Sequence, residues 1–150
     1  MNTPYRRALL ALTVIIGLYV GVWAQFFPHV FYESFPGFGL RWISVHGAEN
    51  EHLIRDVGSL YLALTAISIA GFFSRTAATG RIAGLGWAVF GVLHFAYHLN
   101  HLVGTPVDII GTVLSLSISA ILGILLLFPS HRARSITDRV SSSENSQLGA

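Results

Sequence analysis

The chain has 150 residues, enough for one domain, and is 53% hydrophobic but only 11% charged, against about 25% charged residues in an ordinary water-soluble domain. It contains no Cys, which excludes disulfides and thiolate metal sites, so any bound metal is held by nitrogen and oxygen. The net charge of +2 comes from nine arginines and no lysine, scattered through apolar sequence, which argues against a nucleic-acid partner and for membrane topology.

Four apolar segments follow in order. Ala8 to Phe27 carries no charge over 20 residues, about the length a helix needs to cross a hydrocarbon core roughly 30 Å thick. It reads as a first spanning helix; the competing reading is a signal peptide, since Arg6-Arg7, the apolar run and Val22-Trp23-Ala24 imitate its three regions. Further helices are expected over about 50–74, 82–103 and 106–128. Asn50 is an N-cap for the second, Thr105-Pro106 supplies an N-cap and a Pro at the first position of the fourth, and Pro129 ends it. The predicted fold class is therefore all-α, an integral membrane four-helix bundle over 1–129 whose spans satisfy their own backbone polar groups. The polar, aperiodic stretch 130–150 reads as a disordered cytoplasmic tail.

Orientation follows from the arginines. With both termini cytoplasmic, Arg6, Arg7, Arg75, Arg81, Arg132, Arg134 and Arg139 lie inside and only Arg41 and Arg55 outside. A bacterial-type plasma membrane suits that asymmetry, and the lipid bilayer is the first partner. His29, His46, His52, His94, His98 and His101 then gather at the outer end with Glu33, Glu49, Glu51, Asp56 and Asp108, leaving His131 inside.

Ionisable groups within a span cost about 3 kcal/mol each and usually face a bundle interior or cavity. In the third helix His94, His98 and His101 stand at i, i+4 and i+7 on one face, and in the second Glu49, His52 and Asp56 stand at i, i+3 and i+7. With a rise of about 1.5 Å per residue, Asp56 and His98 come to equal depth on antiparallel helices. Imidazoles and carboxylates at one depth suit a divalent transition metal, Zn, Fe, Mn or Cu. The expected ligands are Asp56, His94 and His98, with His52 and His101 as further ligands or outer donors, and Glu51 or Asp56 handles a proton. The plain alternatives are a hydrogen-bonded seam gluing helices and haem held by axial imidazoles. Asp108, at the third position of its helix, also fits as a simple partner of the helix N-terminus. Thr112, Ser115, Ser119 and, on the first helix, Gly17, Gly21 and Gln25 mark inward faces.

Between the first two spans, Phe26, Phe27, Phe31, Tyr32, Phe35, Phe38 and Trp42 interleave with His29, Glu33 and Arg41, and Phe35-Pro36-Gly37-Phe38-Gly39 marks a turn. This composition suits an interfacial aromatic belt or a lid that admits a lipid-like substrate sideways. Here His29 and His46 read as ordinary exposed loop histidines. Tyr61 and Tyr97 are proton-donor candidates or core aromatics. Gly84-Leu85-Gly86 offers a small-residue face for a homo-oligomer.

The run Asn50-Glu51-His52-Leu53-Ile54-Arg55-Asp56-Val57-Gly58, with His94-x-x-Tyr97-His98-x-x-His101, resembles small uncharacterised four-helix membrane proteins of actinobacteria and, more loosely, DoxX-like proteins. The resemblance covers most of residues 8–128 and implies the four-helix architecture without an activity. The His94-x3-His98 spacing also resembles membrane fatty-acid hydroxylases, but their further His boxes are missing here and their activity does not carry over. The functional expectation is metal-dependent chemistry, hydrolytic or oxidative, on a hydrophobic substrate. Its alternatives are a haem redox protein, a metal- or proton-binding sensor, and a structural membrane subunit.

Overall fold

The computed structural model describes residues 2–129; the tail expected over 130–150 lies outside the described residues. The chain forms α1 (Pro4–Phe26), α2 (Pro28–Ser34), a 3-10 turn over Ser44–His46, α3 (Glu51–Phe73), α4 (Ala77–Leu99) and α5 (Pro106–Leu127), with no strand among the described residues. At 22 or 23 residues, α1, α3, α4 and α5 are each long and apolar enough to cross a membrane, extending about 33–35 Å at the helical rise.

Local chemistry sets their ends. Asn50 accepts from the Leu53 amide at 3.1 Å to start α3, and Thr105 and Asp108 form a reciprocal capping box ahead of α5, with Pro106 at its first position. Both starts agree with the sequence reading. Two helices shift. α1 begins at Pro4 rather than residue 8, because Thr3 caps it through the Arg6 amide and Pro4 suits a first turn. α4 runs from Ala77 to Leu99 rather than 82–103, so His101 falls beyond the last helical turn. The unexpected helix is α2, a single short segment opened by Pro28.

α1 packs chiefly on α3 and α4 on α5, while α3–α4 and α1–α5 contacts close the ring. Small residues permit the close approaches. A Cβ on Gly17 would strike the Thr65 side chain, and one on Gly123 would strike the Ala88 backbone. The expected inward face of α1 is thus observed. Gly84 and Gly86, read as an oligomer face, are instead used within the chain: a Cβ would come to 2.6 Å from Leu126 and 2.8 Å from Leu64, respectively.

Leu9, Leu10, Ala83, Leu122 and Leu126 fill one end of the core, and Tyr61, Leu64 and Trp87 fill the middle. The Trp87 indole donates to Ser68 Oγ at 2.9 Å, satisfying a buried donor. At the far end from α2, Arg6 is buried and donates to the Leu126 carbonyl at 2.6 Å and the Phe128 carbonyl at 2.7 Å, capping the end of α5. Asn2 similarly donates to the Gly71 and Ser74 carbonyls at the end of α3. The outward faces carry exposed Ile15, Phe73, Leu93 and Val107.

Candidate functional site

Beneath α2 the interior opens into a cavity of about 440 Å³, within the size range of small-molecule sites. Ile16, Tyr19 and Val20 of α1, Val57 and Tyr61 of α3, and Leu116 of α5 supply much of its apolar wall. Its roof is the segment between α1 and α3: Phe31, Phe35, Pro36, Trp42 and Ile43 all line it. The aromatic segment between the first two long helices thus covers the cavity.

The roof is held by aromatic packing and by its own hydrogen bonds. Phe31 and Phe35 have ring centroids 4.5 Å apart, and Trp23 meets both edge-on at 6.0 and 5.8 Å. Tyr19 donates its hydroxyl to the Pro36 carbonyl at 2.8 Å, and Tyr32 to the Gly47 carbonyl at 2.8 Å. His29 Nδ1 pairs with Glu49 at 2.9 Å, with Glu33 at 3.7 Å from the other ring nitrogen. The hydrogen bond to Glu49, and then the charges of Glu49 and Glu33, hold the His29 pKa above its ordinary value.

The imidazoles and aliphatic hydroxyls gather on one side, while the Tyr19 and Tyr61 phenols stand on α1 and α3. His94 and His98 of α4, His46 of the 3-10 turn, and Thr112, Ser115 and Ser119 of α5 line the cavity. The rings of His94 and His98 meet edge-on with centroids 4.7 Å apart, and His46 meets His98 in the same manner at 5.2 Å. His94 also stacks on Phe90 at 5.0 Å. The three imidazoles thus form a ladder from exposed His46 inward. His98 Nδ1 is buried without a hydrogen-bond partner among the described residues. The Ser115 hydroxyl donates to the Thr112 carbonyl at 3.1 Å, and Ser119 to the Ser115 carbonyl at 3.4 Å, so both present their lone pairs as acceptors.

Comparisons with protein families, with curated proteins and with solved structures find no match for this chain.

Of the five expected metal ligands, only His94 and His98 line the cavity. His52 and Asp56 pair with each other at 3.3 Å on an exposed face of α3, with side chains 88% and 61% accessible. Glu51, expected to handle a proton, is bound by Arg55 at 2.8 Å, and Arg55 also donates to the Gln25 carbonyl at the end of α1. His101 lies beyond α4, its ring stacked on Tyr97 at 4.2 Å and its Nδ1 on the Tyr97 carbonyl at 2.8 Å. Among the described residues no group of three or more His, Cys, Asp or Glu side chains is arranged to hold a metal ion. The facing of Asp56 with His98 fails because equal depth fixes height along a bundle but not rotation about each helix axis: Ile54, Gly58 and Tyr61 occupy the buried stripe of α3.

Asp108 serves its capping box, while the Trp42 indole, facing it, stops short of hydrogen-bond geometry. Tyr61 is buried and lines the cavity, whereas Tyr97 is exposed. His46 is the site residue that helical spacing missed. It has no periodic partner in sequence, and only the folding of the aromatic segment over the bundle brings it to His98.

Proposed function

We propose that this chain is an integral membrane protein with four spans and both termini cytoplasmic, whose extracytoplasmic cavity binds a small, largely apolar molecule drawn from the bilayer. The carrying observation is the cavity of about 440 Å³, walled by aliphatic and aromatic side chains and roofed by the α2 segment. Exposed Leu and Ile on every long helix, joined by Val or Phe, support burial in lipid, because such surface in water would drive association. The arginine distribution supports placing the α2 end outside. Leu53 and Ile118 line the cavity and are also exposed at the flank of the bundle, which suits entry from among acyl chains.

Metal-dependent chemistry is the weaker reading, since the donors beside the cavity are imidazoles alone and the carboxylates of the expected set are engaged in exposed pairs. Haem held from two facing helices is weaker still, because both span-borne imidazoles at the cavity belong to α4. Binding is tested with full-length protein in detergent micelles by energy transfer from tryptophan to pyrene. The expected result is saturable transfer that falls to the micelle background in Ser115→Phe and in Val20→Trp, which fill the cavity. Equal transfer in wild type and both filled variants, with all three folded by circular dichroism, overturns the reading.

A further inference from the structure

The cavity-binding reading leaves the ligand's polar end undefined, and the inference here rests on that reading. We propose that the ligand is a hydroxyl-bearing amphiphile of the phenol or prenol type, its hydroxyl placed against His98 and the α5 hydroxyls and its apolar body beneath Phe31 and Phe35.

Charge decides the first part. Among the described residues the cavity lining includes no Asp, Glu, Arg or Lys, so no side chain of permanent charge faces it. A phosphate, carboxylate or ammonium head would enter an apolar space without a counter-charge, which is strongly unfavourable. The head group is therefore neutral.

Hydrogen-bonding capacity decides the second part. Ser115 and Ser119 have already given their protons to backbone carbonyls and offer only acceptor lone pairs toward the cavity. The buried His98 Nδ1 has no partner among the described residues, and an orphaned buried polar atom calls for a bound group to complete it. A hydroxyl can donate to the serine oxygens or the imidazole lone pair and accept from an imidazole N–H. The same wall holds donors in the Tyr61 and Thr112 hydroxyls and the Trp42 indole N–H; a hydroxyl engages both kinds of group, whereas a ketone, ether or ester engages the donors and leaves the serine lone pairs unmet.

Volume decides the third part. About 440 Å³ is roughly three times the ~150 Å³ of an apolar cavity that admits one benzene molecule. It accommodates a ring system or a branched chain, but not the two acyl chains of a membrane phospholipid.

The test compares 1-hydroxypyrene with 1-methoxypyrene and pyrene on full-length protein in detergent, by the same energy transfer. The expected result is that 1-hydroxypyrene binds at least about tenfold tighter than either analogue. That preference is expected to disappear in His98→Phe, with pyrene affinity kept, and to return in part in His98→Gln, whose amide both donates and accepts. Saturable binding of all three probes with equal affinity, or a preference unchanged in His98→Phe, overturns the head-group assignment and leaves cavity binding standing. Failure of every probe to exceed the Ser115→Phe background overturns both.

Discussion

His29 is the exposed residue whose titration bears most directly on the cavity, because its imidazolium ties α2 to Glu49, immediately before α3. Its folded pKa is raised by the hydrogen bond to Glu49 and the charges of Glu49 and Glu33. The pairing therefore contributes fully below the ordinary value of about 6.5 and is lost as pH rises through the raised folded value. Amide hydrogen exchange over 28–46, corrected for its intrinsic pH dependence, is expected to show protection at pH 6 that declines as pH rises through the raised folded value. In Glu49→Gln the decline should shift to lower pH and shrink; an unchanged profile would remove His29 from control of the roof. At this scale the sequence was only partly legible. The histidine stripe on α4 gave His94 and His98 correctly as neighbours, since an i, i+4 relation fixes both spacing and face. Asp56 and His46 were misjudged for one reason: whether a side chain meets a residue of another segment depends on helix rotation and loop path, neither encoded in local spacing.

The elements were far more legible. A run of some 20 apolar residues bounded by Asn50, Thr105-Pro106 or Pro129 states its own length and ends, and α3 and α5 begin where those residues place them. α2 escaped because a seven-residue helix has too few turns to display a period, although Pro28 marked its start. The shorter C-terminal end of α4 removed His101 from the stripe, as Gly104 takes the left-handed φ of 111° in the connection to α5. The tightest element pairing is α4 on α5, where the Gly123 position lies against the Ala88 backbone. Gly123→Val is expected to destabilise the bundle by about 1–3 kcal/mol through overpacking, measured as a lowered thermal midpoint in detergent. Gly39→Ala leaves the helix contacts untouched and serves as the comparison for expression and handling, its own cost confined to a left-handed loop position with nothing near its Cβ.

Across the whole molecule, the two ends of the bundle are built on different principles. The Arg6 end is closed by a buried guanidinium holding the Leu126 and Phe128 carbonyls, and the α2 end keeps a space under an aromatic roof. Arg6→Leu is expected to cost about 1.5–3 kcal/mol, the range for hydrogen bonds to a charged donor, read as a lower midpoint of unfolding in detergent. Because the substitution lies at the opposite end from the cavity, pyrene affinity below that midpoint should be unchanged. Loss of affinity in the folded variant would show that the ends are coupled.

The Arg6 contacts also bear on how the chain is made. A ribosome delivers Arg6 well before Leu126 and Phe128, whose carbonyls it eventually holds. Until α5 emerges, the first helix carries a guanidinium whose final acceptors have not been synthesised, and it must wait with that group turned toward water or lipid headgroups. A truncated product ending before α5 would therefore leave Arg6 without the Leu126 and Phe128 carbonyls that seat it in the folded bundle.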